Sequence, residues 1–175
     1  MTPDVPSPRW VLSSEGRARC LWLADALRDE GVSRIYSSLE PKALETAALV
    51  AVDLGLDVRP RLGLQENDRT RLAFGPIDTL RSLIRHFFEA PSEAVMGRES
   101  AEEALSRYRA AVVELTVEAG GEAVAVVTHG TVLSLLVSRH NAIDPFVLWE
   151  SLKLPSFVVL NGADLKMIGP VHNHP

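Results

Sequence analysis

Ala123-Val124-Ala125-Val126-Val127-Thr128-His129-Gly130-Thr131 is the stretch whose reading decides the fold. Its opening run of small and β-branched apolar residues predicts a strand buried on both faces, as in a parallel sheet covered by helices. The run stops at a lone histidine followed by glycine. The chain then continues as Val132-Leu133-Ser134-Leu135-Leu136-Val137, which reads as a buried helix. In an open α/β sheet, ligands sit outside the carboxyl ends of the strands, so His129 stands where chemistry is done. Gly130 permits close approach of the backbone to a ligand and opens a helix whose unpaired N–H groups favour an anion. A buried structural histidine at a strand end is the plain alternative.

Working outward, the segments on either side alternate between helix and strand. Three prolines among Met1–Trp10 predict an irregular lead-in over residues 1–10. Ser14–Glu30 reads as a helix capped by Ser13 or Ser14 and stopped by Gly31, with Cys20, Leu23, Ala24 and Leu27 on one face. A short strand follows at Ser33–Ser37. Pro41 then suits the first turn of a helix running to Gly55, and another short strand lies around Leu56–Pro60. Gln65–Phe74 is polar and without period, so it is expected as an exposed loop. Helices are expected near Ile77–Phe88 and Glu99–Glu118, and a shorter one from Asp144-Pro145. Near the end, Ser156–Leu160 and Leu165–Ile168 flank Asn161-Gly162, a strong hairpin signal. The pattern predicts an α/β domain of three layers, α/β/α, with a mostly parallel sheet and a C-terminal hairpin.

Composition narrows the function classes. A chain of 175 residues with 46% hydrophobic and 23% charged residues is the size and make-up of one globular domain. A net charge of -5 argues against nucleic-acid binding, and the apolar runs are too short to span a membrane. Cys20 is the sole cysteine, so no intrachain disulfide forms, and no basic-then-apolar leader is visible. The expected location is cytoplasmic. No metal or cofactor is called for by any residue cluster.

Two further segments fall just beyond predicted strands. Ser37–Ala47 enters a helix with Lys42 in its first turn, where the cation can help the helix N-terminus hold an oxyanion. Glu66-Asn67-Asp68-Arg69 follows the second strand. Each has a bland reading as well, a solvated lysine and a solvated turn.

Taken together these pieces resemble the histidine phosphatase superfamily, whose fold is phosphoglycerate mutase-like. Trp10–Gly16 resembles that family's "L-[ST]-x-x-G" helix start, and Ser37–Ala47 its "S-[SP]-x-x-R-A-x-x-T-A" element. Glu66 matches the acid after the second short strand. Gly97–Ser100 resembles "G-E-S", and Val127–Gly130 resembles the second histidine motif. The resemblance covers about Trp10 to Val137 and implies a single domain over residues 1–175. It also implies a mechanism in which a histidine of an "R-H-G" motif attacks phosphorus, basic residues hold the phosphoryl oxygens, and a carboxylic acid protonates the leaving oxygen, without a metal. By position, Glu66 is then the proton donor and His129 the second histidine. The Gly130 N–H, Lys42 and, as a compensating arginine, Arg69 or Arg71 become phosphate ligands. A phosphorylated small molecule is the implied partner, and a homodimer is compatible with the family.

Two departures qualify the resemblance. Lys42 stands where the family has an arginine and supplies a point charge in place of a planar fork. No Arg-His-Gly occurs in the chain, and no strand precedes Trp10 to carry one, so the family's first strand is missing. Three readings stay open: an enzyme whose nucleophile lies upstream of Met1, an inactive relative that binds a phosphorylated ligand or partner protein, and an effector- or nucleotide-binding α/β domain. The missing inner strand further predicts a sheet with a gap or split, low solubility, or partner-dependent folding. Thr2–Pro8 is a poor filler, because its prolines lack donors.

Overall fold

A computed structural model describes residues 7–72 and 76–175. Its centre is a parallel three-stranded sheet of β1 (Arg34–Ser37), β2 (Val58–Pro60) and β3 (Val124–Val127), ordered β2-β1-β3. Ile35 lies opposite Val58 on one side and Ala125 on the other, and Tyr36 pairs in register with Val126. Successive side chains of a strand face opposite ways, and β1 shows the consequence. Ile35 packs with α1 (Ser14–Asp29) and α2 (Pro41–Leu54) through Leu23, Ala24, Leu27, Ala47, Val50 and Ala51. Tyr36 enters the opposite core with α3 (Ile77–Glu89), α4 (Ala101–Ala119), α5 (Gly130–His140) and α6 (Pro145–Ser151). Helices thus cover both faces, giving the three layers expected from the alternation.

The helix ends follow local chemistry. The Ser13 hydroxyl accepts from the Gly16 N–H at 3.0 Å, and Asp144 accepts from Val147 N–H at 2.9 Å with Pro145 at the first helical position. Ser100 and Glu103 form a reciprocal capping box. Gly55 ends α2 in the left-handed region, at φ 67°.

The C-terminal region differs from the simple hairpin expected. Asn161-Gly162 is not a two-residue turn. The Asn161 carbonyl instead accepts from the Leu165 N–H and its N–H reaches the Lys166 carbonyl, closing a longer loop with Leu165 at φ 58°. Antiparallel pairing across this loop is limited to a bridge between Leu160 and Met167 and a bond from Ile168 N–H to the Val159 carbonyl. The strand at Ser156–Phe157 (β4) pairs with β5 (His172–Asn173), which lies beyond the expected hairpin. Stacking of Phe157 on His172, with centroids 4.5 Å apart, supplies packing that favours this partner. The lead-in contains a 3₁₀ turn at Ser7–Arg9. Residues 1–6 of that lead-in and 73–75 of the Gln65–Phe74 loop lie outside the described residues.

The five strands among the described residues do not form one sheet. β4 and β5 stand apart from the three parallel strands, and a cavity of about 1320 Å³ is lined both by Ala123–His129 and by Pro155–Asn161. Cys20, Leu23 and Leu27 of α1 and Tyr108, Val112 and Thr116 of α4 line it as well. His129 lines it too.

Candidate functional site

β1 and β3 end side by side, and the residues beyond their carboxyl ends meet at the mouth of this cavity. His129 is the N-cap of α5 and is almost wholly buried. Its Nε2 lies 2.8 Å from the Ser38 hydroxyl, just past β1, and 3.5 Å from Oε1 of Glu40. Burial pushes the His129 pKa down, and Lys42 and Arg69 act in the same direction. The carboxylates of Glu66 and Glu40 offset this only in part. The ring is therefore neutral at physiological pH.

Glu66 sits at the start of α5. Its carboxylate accepts from the backbone N–H groups of Thr131 at 3.3 Å and Val132 at 3.2 Å, and from the Arg69 guanidinium at 3.0 Å. Burial pushes its pKa up. Arg69, followed by His129 when protonated and the N–H groups of Asn67 and Thr131, outweighs burial and holds the carboxyl below its ordinary value. Glu66 is thus ionised, with its negative charge placed where a helix N-terminus attracts an anion.

Lys42 lies in the first turn of α2, with Nζ 2.5 Å from Oε2 of Glu40 and 5.9 Å from the Trp10 ring centroid. Arg69 links the two halves of the site, donating to Glu66 and, at 2.6 Å, to the Thr131 hydroxyl. Lys42, Glu66, Arg69, His129 and Gly130 all line the one cavity. Arg71 does not join them. It is exposed, and its backbone N–H is tied to the Met96 carbonyl. A Cβ on Gly130 would meet Trp149 and Leu152 at 3.5 Å, an ordinary contact, so packing alone does not demand glycine there.

Two functional neighbours went unread in the sequence. Glu40 is buried and acts as a hub: it pairs with Lys42, accepts from the Glu66 N–H at 2.8 Å, and faces His129. Ser38, fully buried, holds the imidazole. A glutamate directly ahead of Pro41 at a helix start was the available signal, since an acid there has the helix dipole to itself. The charges among these residues balance, with Glu40 and Glu66 against Lys42 and Arg69 and His129 neutral. The start of α5, where an anion is favoured, is thus already occupied by the chain's own Glu66 carboxylate.

The loop that carries Glu66 is held from α4. Arg107 donates to the carbonyls of Gly63, Gln65 and Glu66, and pairs with Glu99 through two nitrogens at 2.7 and 2.9 Å. Asp68 accepts from the N–H groups of Arg98 and Thr70. These bonds, with the Thr70 hydroxyl and the Arg98 side chain, outweigh burial and lower its pKa to about 2.

The family model for the histidine phosphatase superfamily (branch 1) matches residues 3–161. Among solved structures, a mycobacterial glucosyl-3-phosphoglycerate phosphatase in complex with VO3 is similar at 26% identity and a TM-score of 0.64, covering 79% of this chain and 72% of that one. YhfR of Bacillus stearothermophilus is similar at 21% identity and a TM-score of 0.66, over 90% of this chain and 81% of that one. A phosphoserine phosphatase mutant from Entamoeba histolytica, in complex with phosphoserine, is similar at 17% identity and a TM-score of 0.64, over 80% and 72% respectively. No curated protein matches the chain. None of the described helices is long and apolar enough to cross a membrane.

Proposed function

The chain belongs to the histidine phosphatase superfamily, and on that premise we propose that its cavity mouth receives the phosphoryl group of a small phosphomonoester and acts on it by the phosphohistidine route. One observation carries this reading: the Glu66 carboxylate accepts from the N–H groups of Thr131 and Val132 at the start of α5, beside neutral His129 and the Arg69 guanidinium. An acidic side chain already occupies an anion position, so the position suits the oxygens of a phosphate.

In the bound state, the phosphoryl oxygens take the Gly130 N–H, displace Glu66 from the Thr131 N–H, and face Lys42 and Arg69. Glu66 turns aside. Two like charges in one site cannot both persist, so the dianion raises the Glu66 pKa and loads it with a proton. The acid is then armed by substrate itself. An attacking imidazole nitrogen forms a bond to phosphorus while the ester P–O bond breaks, and the leaving oxygen takes the Glu66 proton. Water next displaces the imidazole, giving its proton to Glu66, and inorganic phosphate departs. His129 and the basic groups stabilise charge on the equatorial oxygens.

The attacker defines a second reading. Among the described residues His129 is the one histidine that lines the cavity, and its Nε2 is engaged by Ser38. This favours binding of a phosphorylated ligand without turnover by the chain on its own. Hydrolysis of p-nitrophenyl phosphate by the purified chain separates the two. Turnover that His129→Ala abolishes supports catalysis by this chain. Protection by phosphate or vanadate in a thermal melt without turnover supports binding alone, and neither response rejects both readings.

A further inference from the structure

Glu40 takes no part in the proposed reaction, yet it touches three of the residues that do. It is the N-cap of α2 and is buried, where the helix N-terminus favours a carboxylate. Oε2 holds Lys42 Nζ at 2.5 Å, and Oε1 accepts from the Glu66 N–H at 2.8 Å. Oε1 also lies 3.5 Å from His129 Nε2. That ring nitrogen therefore faces two partners, and they are not equivalent. The Ser38 hydroxyl, at 2.8 Å, can donate or accept, whereas an ionised carboxylate only accepts. A lone pair on Nε2 would be turned against a negative charge, so the proton belongs on Nε2 and the lone pair on Nδ1. Among the described residues nothing bonds Nδ1, and that atom is not sealed, so it is the nitrogen open to the cavity that His129 lines.

We propose that Glu40 is a positioning residue: it fixes the His129 proton on Nε2 and supports a second proton, on Nδ1, when a phosphoryl group arrives. The neutral ring then becomes a charged donor to that group. Ser38 alone would permit either tautomer. The charges around the ring call for such a partner. Glu40 and Lys42 face it from the start of α2, and Glu66 and Arg69 from the loop after β2. Burial keeps the free ring neutral; of the two carboxylates that oppose it, Glu66 acts more strongly than Glu40. Once a dianion is bound and Glu66 is protonated, that order reverses, because Glu40 is the carboxylate still charged. The site then holds one negative charge in excess, which an imidazolium cancels. The second proton comes from solvent, Nδ1–H donates to a phosphoryl oxygen, and Nε2–H stays with Ser38 and Glu40. This second step rests on the proposed function; the tautomer of the free ring does not.

Nitrogen NMR of the full chain carrying isotope-labelled histidine tests this, with His129→Gln assigning the signals. At neutral pH the wild-type His129 ring should be protonated on Nε2 and bare on Nδ1. Glu40→Gln keeps an oxygen to accept the Glu66 N–H, so a merely structural role survives it. Its amide can also turn an NH2 towards Nε2, so the single tautomer should be lost. Saturating inorganic phosphate should protonate Nδ1 in wild type. In the Glu40→Gln complex the ring's proton affinity should be at least about tenfold lower, as loss of a buried neighbouring charge requires. A wild-type ring protonated on Nδ1 alone overturns the proposal, as do a tautomer and proton affinity unchanged in Glu40→Gln. If that variant does not fold, Glu40→Asp decides. Its charge, drawn back by one methylene, should preserve the tautomer and lower the proton affinity, and a lost tautomer or an unchanged affinity overturns the proposal. Phosphate that alters neither the histidine signals nor the thermal melt of wild type rejects the proposed function and the second-proton step together. The free-chain tautomers then decide the remaining claim alone.

Discussion

Glu66 and His129 show how one side chain's environment sets another's chemistry. Both have lowered pKa values, so acid works against the fold at each. For His129 the unfolded chain binds a proton more readily. Its contribution to stability is complete above its ordinary value of 6.5 and is lost as pH falls from there through the folded value. For Glu66 the contribution is complete above 4.5 and is lost as pH falls through a folded value below that. A melting-temperature profile should therefore decline in two stages on acidification, and His129→Gln should flatten the upper one. A profile unchanged by that substitution contradicts the assignment. Much of this site was legible in the sequence because His129, Glu66 and Lys42 each follow a strand, where topology gathers them. Glu40 and Ser38 were not, since their roles depend on which side chains meet across |β1 and β3|, a tertiary fact that spacing along the chain does not carry.

At the scale of elements, the loop between β2 and α3 is the part that positions chemistry. Its polar composition announced an exposed loop, yet Arg107 anchors its carbonyls and Asp68 seals it to Gly97-Arg98. Arg107→Ala leaves partly buried carbonyls without their donor and Glu99 with only the Asp68 N–H, and should destabilise the domain by ~2 kcal/mol in denaturant unfolding. Arg107→Lys keeps charge but loses the fork, and should recover only part of that. An effect of Arg107→Ala below about 0.5 kcal/mol, the range of unremarkable surface substitutions, would show that the clamp is idle. Gly97 makes a sharper case. A Cβ there would stand 2.2 Å from the Asp68 carbonyl oxygen, a clash with backbone that no rotamer relieves. Gly97→Ala should therefore move the loop and cost about 1–3 kcal/mol, whereas Gly130→Ala meets only ordinary contacts. Equal stability of the two variants would contradict the geometry. The C-terminal pairing was harder to read, because Asn161-Gly162 signals a turn but not which later segment returns to Ser156–Phe157.

For the molecule as a whole, hydrophobic alternation and helix caps were enough to give the layers, since burial on both faces leaves one arrangement for short parallel strands between amphipathic helices. The size of the cavity between the two groups of strands was not legible in the same way, because a cavity reflects how the helices settle around it. At this scale the proposed function comes down to the start of α5 as an anion site, which Glu66 fills until a phosphoryl group replaces it. Calorimetric titration of inorganic phosphate into the wild-type chain, Glu66→Gln and Arg69→Glu tests this most directly. Removing the like charge should tighten phosphate binding at least about tenfold in Glu66→Gln, near 1.4 kcal/mol, and Arg69→Glu should bind too weakly to detect. Equal affinities across the three proteins, or no binding by wild type and Glu66→Gln alike, would contradict the claim.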